Sequence, residues 1–385
     1  MPLSVSAAVN RLKISEKSEA RSSRLYSLDA LRGFDMFWIM GAERIFHEMS
    51  KIENTPFWTA LSEQFKHPAW HGFAFYDLIF PLFLFLAGIS TPFSVGKLIR
   101  KQVPKSRILQ KAVKRGLTLV LLGYVYNHGL RMLPVDEIRF CSVLGRIGLA
   151  YMLANIIYLY FKPKGQLVWT AAILLGYWML FLLGARPGFE AGDFSMEGNI
   201  VSYWDTLIVP GKLYLGIHDP EALVSTVPAV ATALLGILTG QRLIGAVPEK
   251  GKRFALEMAA AGLLFVVLAQ AWDFVFPINK NLWTSSFVLQ CAGISLLLMS
   301  LFYYVIDVKG FRKWAFFFKI IGMNSILIYM SGRFISWKYS ANALFGWLVE
   351  LAGKPYQPVV YVFGLLAVQW LVLYFLYKKK TFLKV

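Results

Sequence analysis

The chain has 385 residues, of which 57% are hydrophobic and 16% are charged, and its mean hydropathy is +0.53. A soluble protein of this length has too little core volume to bury so much apolar surface, so an ordinary soluble fold is excluded. The formal charge of +18 comes without a zinc knuckle, a helix-turn-helix pattern or a compact basic domain, so we expect no nucleic-acid partner.

Apolar blocks recur along the whole chain, each close to the ~20 residues that cross a bilayer core as a helix. Barrel strands would be half as long and alternating, so helix is the expected secondary structure. We predict an all-α polytopic membrane protein with about ten transmembrane helices, forming one domain over residues 26–385 after a basic segment at 1–25. The blocks lie at 27–46, 74–96, 116–131, 141–161, 166–184, 222–244, 254–275, 283–306, 315–337 and 358–377.

The distribution of basic residues between these blocks predicts the orientation in the membrane. If the N-terminus is cytoplasmic, the inside segments carry 27 of the 40 Lys and Arg residues and the outside loops carry nine. Cytoplasmic loops of membrane proteins have this excess of basic residues. We therefore predict that both termini are cytoplasmic and that the bilayer is the protein's main partner.

All five histidines fall on the outer side of this topology. An imidazole there can exchange protons or attack a thioester carbonyl, although an interfacial histidine that bonds only water or headgroups is the commoner case. His67 and His71 have a spacing that could bind a metal ion. However, Pro68 disfavours a helix through His67 and no acidic third ligand is evident, so we expect no metal site. The histidines are His47, His67, His71, His128 and His218.

Several ionisable residues lie within or at the ends of the apolar blocks, where a charge is costly and usually faces a cavity or a partner. Asp29 and Arg32 share a helix face and could form a structural ion pair or contact a substrate. Asp77 is close in sequence to His67 and at the same membrane face. Its carboxylate could accept the imidazole N–H and favour the cation formed during catalysis.

Short motifs in order along nearly the whole chain give the most specific signal. In one of them, the pair Lys66 and His67 precedes Trp70, Gly72 and an Asp-Leu-x-Phe-Pro helix start at Asp77. The motifs occupy 28–33, 65–72, 77–81, 88–90, 142–148, 218–223, 277–284 and 322–327. Together they resemble the heparan-α-glucosaminide N-acetyltransferase family.

The resemblance implies an acyltransferase that moves acetyl from cytosolic acetyl-coenzyme A to a glucosamine-type amine, with His67 as its catalytic histidine. It further implies a bacterial member in the inner (cytoplasmic) membrane, because the lumenal N-terminal domain and leading helix of the lysosomal enzymes are missing here. Relatives form dimers, so a homodimer is expected. The sequence departs from the family pattern before His67, which leaves Asp77, Glu43 and Asn54, in that order, as candidate partners of the histidine.

The resemblance and the charge pattern together give a candidate set of binding residues. Coenzyme A is anionic, so its phosphates suit basic residues on the inner side. Amides at a helix start, such as Asn279 and Asn281, can bind sugar hydroxyls or simply cap the helix. The predicted cofactor-binding residues are Arg146, Lys114, Arg115 and Asn324. The predicted substrate-binding residues are Asp29, Arg32, His71, Glu221, Asn279, Lys280, Asn281 and Trp283.

Two alternative functions fit the same residues. An O-acyltransferase that modifies a surface polysaccharide would use similar His and Arg groups with a hydroxyl acceptor. A sugar or ion permease would line its pathway with the buried charges. For the acetyltransferase itself, the sequence leaves open whether His67 accepts the acetyl group or removes a proton from the attacking amine.

Overall fold

The computed structural model describes residues 25–245 and 250–383, and within these ranges it is built from α-helices without a β-strand. Only the last residue of the basic segment predicted at 1–25 falls inside the described ranges. The helices are α1 (Tyr26–Phe37), α2 (Arg44–Glu53), α3 (Pro56–Gln64), α4 (Ile79–Arg100), α5 (Lys105–His128), α6 (Val143–Tyr160), α7 (Pro163–Leu183), α8 (Ile200–Ile208), α9 (Thr226–Gly245), α10 (Gly251–Asp273), α11 (Ser285–Phe302), α12 (Ala315–Met323), α13 (Ser325–Phe334), α14 (Trp337–Leu351) and α15 (Gln357–Lys378).

The lengths and hydropathy of these helices confirm the predicted class, an all-α polytopic membrane protein. Among the described residues, seven helices are long and apolar enough to cross a membrane, and the bent pair of α12 and α13 makes eight. The prediction of about ten included two more blocks, at 27–46 and 116–131. Both are helical, but α1 is short and α5 begins in a basic stretch, so neither is both long and apolar enough to count as a membrane-spanning helix.

The long helices pack as neighbouring pairs, α4 with α9, α5 with α6 and α10 with α11, and α1 packs on α12. Glycines allow the closest of these approaches. A Cβ atom on Gly236 of α9 would lie 2.1 Å from the carbonyl oxygen of Phe85 in α4, and one on Gly88 would lie 2.3 Å from that of Ala233. Small residues let membrane helices approach to backbone contact, so these two glycines set the distance between α4 and α9.

The helix predicted at 27–46 is broken in the structure. A π-helical turn at Trp38–Ala42 follows α1, and Gly41 within it has φ of 117°, a conformation that glycine adopts without steric cost. The chain then turns into α2. The ring of Phe46 in α2 stacks on Phe65, with centroids 4.8 Å apart and planes 9° apart. This stack fixes the position of the segment that follows α3.

The block predicted at 315–337 is also interrupted. It bends by 67° between α12 and α13, at Asn324. The side-chain amide of Asn324 donates to the carbonyl of Thr381 (3.1 Å) and accepts from the amide of Leu383 (3.0 Å), so the bend is tied to the C-terminal tail. Part of the segment between the blocks predicted at 315–337 and 358–377 is also helical, as α14.

Candidate active site

His67 lies in the loop between α3 and α4, and Pro68 directly after it keeps this segment out of helical structure, as predicted. Phe65 anchors one side of the loop through its stack with Phe46. On the other side, the amide of Gly72 donates to the carbonyl of Ile278 at 2.9 Å, which ties the loop to the segment before α11. The side chain of His67 remains 47% exposed, so it is held in place yet accessible.

The structure brings His67 and Asp77 together. Nδ1 of His67 lies 2.6 Å from Oδ1 of Asp77, whose side chain is only 1% exposed. The second carboxylate oxygen accepts from the backbone amide of Ala74 at 3.0 Å. Because a carboxylate only accepts hydrogen bonds, the neutral imidazole carries its proton on Nδ1, and Nε2 is the basic and nucleophilic nitrogen.

The other two candidate partners of His67 have different surroundings. Glu43 follows the π-helical turn, and its carboxylate lies 3.7 Å from the guanidinium of Arg44. Asn54 ends α2 in the left-handed conformation, with φ of 43°. Asp77 is therefore the carboxylate that orients the imidazole of His67.

Lys280 completes a compact group with this pair. Its Nζ lies 2.9 Å from Nε2 of His67, 3.1 Å from Nδ1 and 3.5 Å from Oδ1 of Asp77. Its side chain is 20% exposed, and burial lowers the pKa of Lys280 against the opposing effect of the Asp77 charge. Tyr76 stacks on the His67 ring, with centroids 5.1 Å apart. The sequence placed Lys280 among the sugar contacts, whereas the structure places it against the imidazole.

A cavity of about 260 Å³ borders this group. The side chains of His67, Lys280 and Glu221 line it together with those of Tyr76 and Tyr329, and the remaining walls are apolar or aromatic residues of α1, α4, α6, α13 and the π-helical turn. Charges in such low-dielectric surroundings interact more strongly than they do in water. The cavity therefore has room for a small acyl group beside His67, with mostly apolar walls around it.

Arg139 positions Glu221, and the sequence analysis did not single it out. Its Nε and Nη2 donate to the two carboxylate oxygens of buried Asp219, each at 2.7 Å, and Nη2 also bonds Glu221. Although burial opposes ionisation, these bonds hold the pKa of Asp219 below its usual range. The motif 218–223 predicted a functional carboxylate, but no sequence signal indicated which of the basic residues would pair with it.

The second histidine of the loop, His71, contacts Asn279 rather than the group formed by His67, Asp77 and Lys280. Its Nδ1 accepts from Nδ2 of Asn279 at 3.2 Å, and burial lowers the pKa of His71, which favours the neutral ring. Oδ1 of Asn279 accepts from the amide of Leu282 at 2.9 Å, so Asn279 also stabilises the turn in which it lies. Asn281, two residues later, is half-buried. Within the described residues, no three His, Cys, Asp or Glu side chains form a group that could hold a metal ion.

Arg146 and Trp283 are buried contacts of the helix bundle. The Arg146 guanidinium lies 4.8 Å from the Trp283 ring centroid, and its nitrogens donate to Thr226, Ser225 and the carbonyl of Ala222. Trp283 packs edge-on against Phe80, with centroids 4.9 Å apart. The polar groups of both side chains already have protein partners, so their roles in binding coenzyme or sugar stay predictions.

The remaining predicted residues lie elsewhere in the bundle and have separate partners. Arg115 donates to the hydroxyl of Tyr151 at 3.2 Å, and its neighbour Lys114 is exposed on α5. Asn324 holds the bend before α13. Asp29 and Arg32 form an ion pair at 3.4 Å, and Arg32 also donates to Ser90 of α4 at 2.8 Å, while their contact with a substrate stays a prediction.

Comparison with known proteins agrees with the motifs. A family model described as heparan-alpha-glucosaminide N-acetyltransferase, catalytic, matches residues 24–270. The human and the mouse heparan-alpha-glucosaminide N-acetyltransferase are each 28% identical to this chain over 83% of its length. The chain spans only 56% of the length of each of these relatives. The matched residues include His67, Asp77 and Glu221 and cover more than half of the sequence. The chain therefore belongs to the heparan-α-glucosaminide N-acetyltransferase family.

Proposed function

We propose that the protein is a membrane acetyltransferase that moves acetyl from acetyl-coenzyme A to the amine of a glucosamine-type sugar. The observation that carries the proposal is the pairing of His67 with Asp77 beside a largely apolar cavity. The family relationship supports this choice of acceptor, since the human and mouse relatives are named for transfer to a glucosaminide nitrogen.

His67 acts at the reacting atoms through Nε2. It either takes the proton from the attacking amine or accepts the acetyl group itself, and both routes need the tautomer that Asp77 imposes. Asp77 also stabilises the imidazolium that forms when Nε2 gains a proton. The pair supplies the general-base or nucleophilic chemistry that acyl transfer to an amine requires.

Lys280 and Glu221 supply a cation and a carboxylate that can stabilise charged groups of the two substrates. In its protonated form, Lys280 can donate to the acyl oxygen as negative charge develops there. Glu221 can accept from the sugar ammonium and hold the amine at the cavity wall. Arg139 bonds the carboxylate of Glu221 and holds it in place for that contact.

The coenzyme would supply an activated acyl thioester. Its acyl end fits the apolar cavity, and we propose that its phosphates bind the basic N-terminal half of α5, which includes Lys114 and Arg115. In this arrangement the donor comes from the cytoplasmic side, and His67 works near the outer face of a bacterial inner membrane. A homodimer remains part of the proposal.

The test is acetyl transfer by the purified protein in proteoliposomes, with labelled acetyl-coenzyme A and glucosamine. We expect His67→Ala to lower the rate by about 10²- to 10⁴-fold, the usual contribution of a positioned acid or base. His47→Ala is the matched control, because His47 is also an outer-loop histidine but bonds the hydroxyl of Ser62 rather than a carboxylate. That variant should keep the original rate.

The nature of the product separates the proposal from its rivals. An N-acetylated sugar supports it, and the same assay with N-acetylglucosamine, which offers only hydroxyls, should give no product. Acetylated hydroxyls would point to an O-acyltransferase. Uptake of labelled sugar without coenzyme A, together with no acetylated product in any condition, would disprove the acetyltransferase assignment, and an equal rate in His67→Ala would disprove the role of His67.

A further inference from the structure

The amine nearest to the reactive nitrogen of His67 belongs to the protein itself. Nζ of Lys280 lies 2.9 Å from Nε2, and both side chains line the same cavity. An acyl carbon held at Nε2 would therefore lie within the ~3–3.5 Å at which reacting atoms are placed for attack. A sugar amine has to diffuse to this position, whereas Lys280 occupies it permanently.

We propose that Lys280 is a self-acetylation site, which the protein modifies when the donor is present and no acceptor amine occupies the cavity. The inference rests on the proposed acetyltransferase function and adds to it a modification that uses the same histidine. The resulting amide is stable, so the modification accumulates rather than turning over.

The chemistry needs only the acyl thioester donor. The neutral Nζ forms a bond to the acetyl carbonyl carbon, the carbon–sulfur bond breaks, and the proton taken from Nζ by His67 leaves with the thiol. If the acetyl group first rests on Nε2, the thiolate leaves at that stage. The carbon–nitrogen bond to the ring then breaks, the proton from Nζ passes to Nε2, and the imidazolium gives a proton to the thiolate. Both routes give acetyl-lysine, free thiol and an unchanged histidine.

Lys280 differs from other lysines on the same face in ways that favour this reaction. Lys66, one residue before His67, has a side chain that is 56% exposed and pairs with Glu63 at 2.7 Å. The side chain of Lys280 is mostly buried, and burial lowers its pKa, so a larger fraction is the neutral nucleophile near pH 7. Uncatalysed acetylation by a thioester in solution would instead favour the accessible Lys66.

Acetylation would change the site that performs it. The amide of acetyl-lysine carries no charge, so it loses the attraction to Asp77 across 3.5 Å and no longer donates as an ammonium to the acyl oxygen. We expect the modified protein to transfer acetyl more slowly. A bound acceptor amine competes for the same acyl carbon and protects Lys280.

The experiment is peptide mass spectrometry of the full chain in proteoliposomes after incubation with acetyl-coenzyme A alone. We expect the mass of one acetyl group on the peptide that contains Lys280, with occupancy roughly tenfold or more above that at Lys66. Adding glucosamine should suppress the signal in the unmodified sequence, and His67→Ala should abolish it. In parallel, preincubation with the donor should slow the subsequent acetylation of glucosamine, and Lys280→Arg, whose guanidinium is a poor nucleophile, should show no such time-dependent loss.

The outcomes separate this inference from the proposed function. Acetylated glucosamine with an unmodified Lys280 overturns the self-acetylation site but leaves the enzyme intact. Equal labelling of Lys280 and Lys66, or labelling that glucosamine does not reduce, also overturns it, because the reaction is then uncatalysed. If glucosamine is not acetylated in any condition, the proposed function itself fails.

Discussion

His67 shows which side-chain contacts a sequence can predict. Asp77 lies ten positions away and at the same predicted membrane face, so the pairing of the two could be expected from the chain itself. Lys280 lies 213 positions away, beyond six long helices, and no local pattern places it on the imidazole. The contact of His67 with Asp77 could therefore be predicted from their closeness in sequence, whereas the contact with Lys280 depends on tertiary packing.

His218 gives a pH prediction at the residue scale. It is fully buried, its Nδ1 bonds Ser202 at 2.7 Å, and burial lowers its pKa from 6.5 to about 4. Between these pH values the unfolded chain binds a proton that the folded chain does not, so this residue removes stability as the pH falls from 6.5 to 4. The full effect is on the order of 3 kcal/mol.

The measurement is the thermal unfolding temperature at pH 7 and pH 5 for the unmodified protein and for His218→Asn, whose amide does not titrate. Burial raises the pKa of Asp205 to about 6, so this residue adds stability as the pH falls. It does so in both proteins, so the difference between their unfolding temperatures reports on His218. The variant should lose less stability on acidification. An identical loss in both proteins would contradict a buried neutral imidazole.

Helices were the most predictable elements because apolar length is a direct property of the sequence. All ten predicted blocks contain helix, yet their ends and breaks differ. Hydropathy did not reveal the polar first turns of α5, the break at Gly41 or the bend of 67° at Asn324. These features depend on backbone conformation and on distant hydrogen bonds, which a hydropathy profile does not contain.

The crossing of α4 and α9 supplies a prediction at the element scale. Replacing Gly236 with Leu would drive side-chain atoms into the backbone at Phe85, and such overpacking costs about 1–3 kcal/mol. Because α4 begins two residues after Asp77, the displacement should also lower acetyl transfer. Unfolding temperature and transfer rate of the purified variant measure both effects.

Gly176 in α7 is the control for this substitution. It is also a helical glycine, but a Cβ atom there would meet nothing within 4 Å. Gly176→Leu should therefore match the unmodified protein in both measurements. Equal damage by the two substitutions would show that loss of glycine as such, and not the contact of α4 with α9, is responsible.

The whole molecule is predicted to lie with its basic loops and both termini in the cytoplasm. Single cysteines test this in intact cells with a membrane-impermeant maleimide. Met132→Cys, in an exposed outer loop, should react directly, and Lys101→Cys, in an exposed inner loop, should react only after permeabilisation. The native Cys141 and Cys291 are buried, so the unmodified chain gives the background.

If Lys101→Cys were labelled in intact cells and Met132→Cys were protected, the protein would have the opposite orientation to the one predicted. His67 would then face the cytosol, and the proposed separation of donor and acceptor across the membrane would be lost. The family relationship and the His67 site would be unaffected, because neither depends on the side from which each substrate arrives.

The tether between Asn324 and the C-terminal tail has a practical consequence. Both polar ends of this buried amide are satisfied by backbone groups at Thr381 and Leu383, and α13, which starts next to it, supplies Ile326 and Tyr329 to the cavity wall. Leaving such an amide unsatisfied costs about 1–3 kcal/mol. An affinity tag or reporter fused directly to the carboxyl end would pull on this wall, so expression vectors should carry the fusion at the amino end or behind a long flexible spacer.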